Sequence, residues 1–178
     1  MSTGGLEDLR RLLREGGGLM AELLDDDGPQ PTLDAGPPAL VAAGGPRAEG
    51  RRAEYELLVE AIYEGYLLHY GNPRVVRVPD ADLRLLAGDR LYAVGLARLV
   101  ALGDTPAVAE LADTITLSAL AQGAGDGALA EAIWDAGARA VGWGSSESHR
   151  HAKELVSSGS PDALEAMRTS AGAVPASP

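Results

Sequence analysis

Any core in this chain has to be built almost without aromatic rings. Phenylalanine is absent and aromatics make up 4% of the 178 residues, yet 46% of residues are apolar. Leucine, alanine and valine must therefore fill the interior. Leucine and alanine are strong helix formers, and the β-branched and aromatic types that favour strands are in the minority. The expected fold class is all-α: an antiparallel helical bundle of four main helices, with a flexible N-terminal arm and a C-terminal tail.

Charge narrows the possible partners. Acidic residues number 26 against 15 basic ones, a net charge of −11. That balance repels phosphate backbones and anionic lipid surfaces, so no nucleic acid is expected as a partner. Cysteine is absent, which removes disulfides, thiolate zinc sites and cysteine nucleophiles and suits a reducing compartment. No apolar run approaches the roughly 18 residues of a membrane span. The first residues, MSTGGLEDLRRLLREGG, are charged throughout and lack a signal-peptide core. A soluble cytoplasmic protein is expected. Lys153 is the only lysine, and abundant alanine, glycine and arginine suggest a GC-rich bacterial source.

Glycine and proline divide the chain. Residues 1–50 are expected to be an arm: short helical pieces over 6–24, interrupted at Gly16-Gly17-Gly18, then a Gly/Pro/Asp-rich linker over 25–50. Residues 51–145 carry the bundle. Helix spacing predicts segments over about 51–70, 80–102, 105–122 and 126–141, with Asp80 and Asp104 or Thr105 as N-caps and RVVRV at 74–78 as a connector. Glu56, Glu60 and Glu64, four residues apart, predict a solvated stripe on the first of these. Residues 146–178 are expected to be a polar tail with one short helix over 161–171.

The stretch LRLLAGDRLYAVGLARLV, residues 83–100, is the most apolar helix, and it contains Asp89. On a helical wheel Arg84, Gly88, Gly95 and Arg98 share one direction. Leu85, Leu86, Tyr92, Ala93, Leu96 and Val100 share the opposite one, and Asp89 falls among them. The expectation is a buried Asp89 acting as a polar staple, with His69, Arg74 or Arg90 as its partner. His69 is expected on the inner face of its helix, as a core histidine. The Arg84–Gly88–Gly95–Arg98 stripe is the candidate partner surface, with within-bundle packing as the alternative. Tyr55, Tyr66 and Tyr70 join that surface as amphipathic aromatics; sealing the core is their alternative role.

Leu86-Ala87-Gly88-Asp89-Arg90-Leu91-Tyr92, then Leu102-Gly103-Asp104 and AVAELADTI, resembles the trans-prenyl diphosphate synthase superfamily over about residues 80–122. The nearest likeness is the non-catalytic small subunit of heptaprenyl diphosphate synthase. Catalytic members carry two DDxxD motifs that hold Mg²⁺, and neither is present here. The resemblance implies a catalytically silent accessory subunit acting through a catalytic partner chain in isoprenoid synthesis, as for a quinone side chain. A helical protein-interaction or adaptor domain without an isoprenoid link is the alternative. A third reading is a small metal- or diphosphate-dependent enzyme using Asp89, His69 and Glu64.

The other constellations carry less. Asp25-Asp26-Asp27 lies in the linker without DDxxD spacing. His149 and His151 are expected in a solvated tail. Ser145-Ser146 lacks GxSxG geometry, and the glycines over 123–127 lack the Lys-Ser/Thr of a phosphate loop. No metal, no cofactor and no catalytic residue is expected; another protein chain is the expected partner.

Overall fold

A computed structural model of the chain describes residues 4–24 and 37–172, and these are all-α. Helices α1 (Gly4–Gly16) and α2 (Gly18–Glu22) precede α3 (Pro37–Gly44), which a 3₁₀ turn (Pro46–Ala48) joins to α4 (Arg52–Tyr70). Then follow α5 (Ala81–Ala101), α6 (Thr105–Gly123), α7 (Gly127–Trp143), α8 (Glu147–Ser157) and α9 (Ala163–Gly172).

The helix starts follow from local chemistry. Asp80, Asp104, Asp126 and Ser146 cap α5 to α8, each side chain accepting an N–H three residues on. Pro106 sits in the first turn of α6, where no N–H is missed. The Gly16–Gly18 break separates α1 from α2, and Gly17 and Gly18 take φ of 64° and 62°, which L side chains resist.

Three apolar clusters form the interior. The first joins α3, α4 and α7 through Tyr55, Ile62, Tyr66, Trp134 and Val141, with Leu99 and Leu111 from α5 and α6. The second sets Leu6, Leu9 and Leu13 of α1 against α4, the 75–78 connector and α5. The third packs Ala152, Val156, Ala163 and Met167 of α8 and α9 onto α6 and α7.

Several expectations are corrected. The linker expected over 25–50 ends early, because residues 37–48 fold as α3 and its 3₁₀ turn. Ala39, Ala42, Ala43 and Ala48 are small enough to let α3 lie between α4 and α7. The contact is backbone on backbone: a Cβ added at Gly142 would stand 2.6 Å from the Ala42 carbonyl oxygen. Residues 25–36, with Asp25-Asp26-Asp27, lie outside the described residues. The expected tail is two packed helices as far as Gly172, so α1, α3, α8 and α9 all share the interior with the four longer helices.

The expected solvated stripe on α4 is also inside. Glu56, Glu60 and Glu64 are buried, the last two completely. Each carboxylate has work that a helical wheel cannot show. Glu56 Oε1 accepts the Gly5 N–H of α1 at 3.0 Å. Glu60 Oε2 accepts Arg74 Nη2 at 2.6 Å. Glu64 Oε1 accepts the backbone N–H groups of Arg74, Val75 and Val76 at 2.7, 2.6 and 3.2 Å. The 74–78 segment thereby lies across α4, and its outer edge bonds to the chain after α2 through Arg77 N–H and Leu23 O.

Candidate functional site

The wheel of α5 is turned relative to expectation. The residues it buries are Ala87, Gly88, Leu91, Gly95 and Leu99. Leu85, Leu86 and Val100, expected in the core, are 47%, 65% and 64% exposed. The physical reason is close packing of small residues. Gly88 and Gly95 let α5 approach α4 more closely than side chains would permit. A Cβ at Gly88 would stand 2.5 Å from the His69 ring and 3.0 Å from Gly65 O. At Gly95 it would run into Ile62, with Leu58 O 3.1 Å away. The partner of this glycine stripe is α4 of the same chain. Arg84 completes it by donating to Leu67 O at 3.1 Å and to Gly71 O, two carbonyls at the C-terminal end of α4. Of the expected surface stripe, Arg98 alone faces outward.

Asp89 is therefore not a buried staple; its side chain is 68% exposed. Its Oδ1 lies 3.2 Å from His69 Nε2, outside hydrogen-bond geometry, a contact that is an ion pair only when the imidazole carries a proton on both nitrogens. His69 stacks on Tyr92, ring centroids 5.3 Å apart. Burial pushes the Tyr92 phenol well above its usual range. Glu64, the third member of the enzyme reading, is committed to the 74–76 backbone and does not join this pair.

The tyrosines divide. Tyr55 and Tyr66 are buried, and only Tyr70 is substantially exposed. Tyr55 OH donates to Asp104 Oδ2, while Arg47 Nη2 donates to Oδ1 at 2.6 Å, so the α6 cap also ties in α4 and the 3₁₀ turn. Burial and that bond raise the Tyr55 phenol to about 12. Tyr66 accepts Gln122 Nε2 at 2.7 Å, and its ring lies 5.1 Å from that of Trp134. In a core without phenylalanine, these two rings fill volume and spend their hydroxyls on neighbouring helices.

A polar network lies where the tail was expected. His149 is buried, with Nδ1 3.2 Å from Ser170 Oγ and Nε2 3.1 Å from Glu110 Oε2. Lys153 Nζ bonds to Glu110 and, at 2.7 Å, to Asp113. Burial opposes the charge on Glu110, but the bonds from His149 and Lys153 outweigh it and hold the carboxyl at about 2. Ser170 is buried and donates to Met167 O, so its hydroxyl is bound into α9, not presented as a nucleophile. The network fastens α8 and α9 to α6. His151, two residues from His149, faces solvent instead, because residues two apart point to different sides of a helix. Among the described residues, no group of three His, Cys, Asp or Glu side chains is placed to hold a metal ion.

The outer arc of α5 is exposed, with Leu85, Leu86 and Val100 on it. Beside it runs a groove of about 550 Å³ between α1–α2 and α5, walled by Leu12, Leu13, Leu19 and Met20 on one side and by Leu86, Arg90, Val94 and Arg98 on the other. Sequence reasoning assigned Arg98 to a partner surface but missed Leu86, Arg90 and Val94. Their four-residue spacing was a usable signal, masked by placing the leucine face inward. No helix among the described residues is long and apolar enough to cross a membrane. The chain matches no protein-family model, and searches of curated proteins and of solved structures yield no match.

Proposed function

We propose that the protein is a helical adaptor that binds another protein chain through the outer arc of α5. The observation that carries this reading is the inversion of α5. The helix spends its glycines on contact with α4 and leaves Leu85, Leu86 and Val100 facing out. Apolar side chains clustered on one exposed helix face mark an interaction surface. By contrast, most of the chain's buried charge is committed to structure: Glu56 to α1, Glu60 and Glu64 to the 74–76 segment, and Glu110 to α8.

The prenyl-synthase likeness names one specific partner class, a catalytic polyprenyl diphosphate synthase to which this chain would be the silent accessory subunit. That version stands on the resemblance over 80–122. The Ala87-Gly88-Asp89 triplet within it has a packing explanation of its own: Gly88 seats α5 on α4, and Asp89 sits over His69.

The test is site-specific photocrosslinking in native cell extract, with the crosslinker at Leu86 or Val100 and, as control, at exposed Thr116 of α6. A product seen at both α5 positions and absent at Thr116 is expected. It should be lost when the other α5 position is changed to aspartate. A DDxxD-bearing synthase in that product supports the accessory-subunit version, and any other protein supports the plain adaptor. Equal products from Thr116, or none from α5, would overturn both.

A further inference from the structure

The groove beside α5 has a charge pattern that selects its occupant. Leu86, Arg90, Val94 and Arg98 stand one per turn along a single wall, so apolar and cationic side chains alternate. Among the described residues neither the Arg90 nor the Arg98 side chain has a hydrogen bond or an ion pair, whereas the side chains of Arg47, Arg74 and Arg84 are all bonded. In a chain of net charge −11, two guanidiniums without a partner among the described residues, beside an apolar trough, favour an acidic guest. Their spacing says which kind. Eight helical residues separate the two Cα atoms by about 12 Å along the axis. An occupant with acidic groups at two points along its length, and apolar groups between them, meets both arginines without either side chain having to fold toward the other.

The opposite rim gives a second constraint. Gly16, Gly17 and Gly18 line it, and a Cβ added at any of them would meet nothing within 4 Å. This three-glycine stretch, between Leu13 and Leu19, carries no side chains and leaves room for another backbone to lie close. An elongated, backbone-bearing guest with an apolar face and flanking acids is an amphipathic helix.

We propose that this groove seats an acidic amphipathic helix of a partner protein, its apolar face between α1–α2 and α5 and its carboxylates against Arg90 and Arg98. The proposal rests on the reading of α5 as the docking element and gives that partner its chemistry.

The test uses the full chain and a fluorescein-labelled synthetic helix of about 16 residues, four turns and more, with leucines on one face and glutamates spaced to meet Arg90 and Arg98. A twin peptide carries lysine at the glutamate positions. In fluorescence anisotropy, the acidic peptide should bind at least about tenfold more tightly than its twin. The Arg90→Glu/Arg98→Glu variant should reverse that order, and Leu86→Asp should abolish both. All three substitutions are at exposed or rim positions, and circular dichroism checks that each variant folds.

Equal binding of the two peptides, or no binding with the Leu86 crosslink intact, overturns the acidic-helix proposal and leaves the α5 reading standing. Loss of peptide binding and crosslink together overturns both. Two further results also overturn it: a concentration-dependent dimer abolished by the double arginine variant assigns the groove to a second copy, and displacement of the acidic peptide by decanoate with equal loss of the twin assigns it to a single-chain amphiphile.

Discussion

Replacing Glu64 with alanine should destabilise the protein more than any single surface change, and the cost can be worked from its bonds. Glu64 Oε1 is the acceptor for three consecutive backbone N–H groups. Val75 and Val76 are buried, so alanine leaves two donors without protein or solvent partners. Each orphaned buried donor costs about 1–3 kcal/mol, about 2–6 kcal/mol for the pair. Removing a fully buried carboxylate returns part of that, because its own desolvation is relieved. Arg74 keeps Glu60, at 2.6 Å. The net expectation for Glu64→Ala is a loss of about 2–4 kcal/mol, combining those terms. Glu64→Gln keeps an oxygen acceptor and loses only charge assistance, which roughly halves such bonds, so about 1–2 kcal/mol is expected. Urea unfolding followed by circular dichroism gives both numbers, with an unchanged slope if the denatured state is the same. Amide exchange at Val75 and Val76 should accelerate in the alanine variant. An alanine cost below about 0.5 kcal/mol, the ordinary surface range, or a glutamine cost as large as alanine's, would refute the backbone-anchor account.

Four other outcomes follow. Glu110, held at about 2 against an ordinary 4.5, contributes stability that is fully present above pH 4.5 and is lost as the pH falls towards 2. Glu110→Gln should flatten that part of the profile of urea midpoint against pH, relative to wild type. Asp89→Ala should change stability by no more than about 1 kcal/mol, as for an exposed ion pair; a loss of several kcal/mol in the same urea assay would restore the buried-staple reading. Gly95→Ala should cost about 1–3 kcal/mol through overpacking against Ile62, read as a lowered thermal midpoint. In a double-mutant cycle, Tyr66→Phe and Gln122→Ala should couple by about 1 kcal/mol, the worth of their shared hydrogen bond; zero coupling would mean that the bond contributes nothing in solution.

Leucine and alanine content, together with Asp80, Asp104, Asp126 and the glycines between helices, specifies where helices begin and end. These are local effects: a cap and a helix-breaking residue act on neighbours within four positions. The all-α class and the four longer helices were legible for that reason. α3 was not, because PPALVAAG reads as linker until a slot exists between α4 and α7 for its alanines to fill. Nor was α8; α9 was expected as a short helix over 161–171, but not that the few apolar residues of both would pack onto α6 and α7.

Facing was the property the sequence by itself left undetermined. Periodicity shows that α4 and α5 each have distinct sides, but not which side meets the core. On α4, glutamates that look solvated are buried, because α1 and the 74–76 backbone bring donors to them. On α5, leucines that look buried are exposed, because two glycines allow a closer approach than leucines could. Both reversals depend on long-range contacts, where a distant backbone N–H or a neighbouring helix sets the local cost of burial. Composition and capping residues thus determined the four longer helices, whereas tertiary packing alone decided which faces hold the molecule together and which are left exposed.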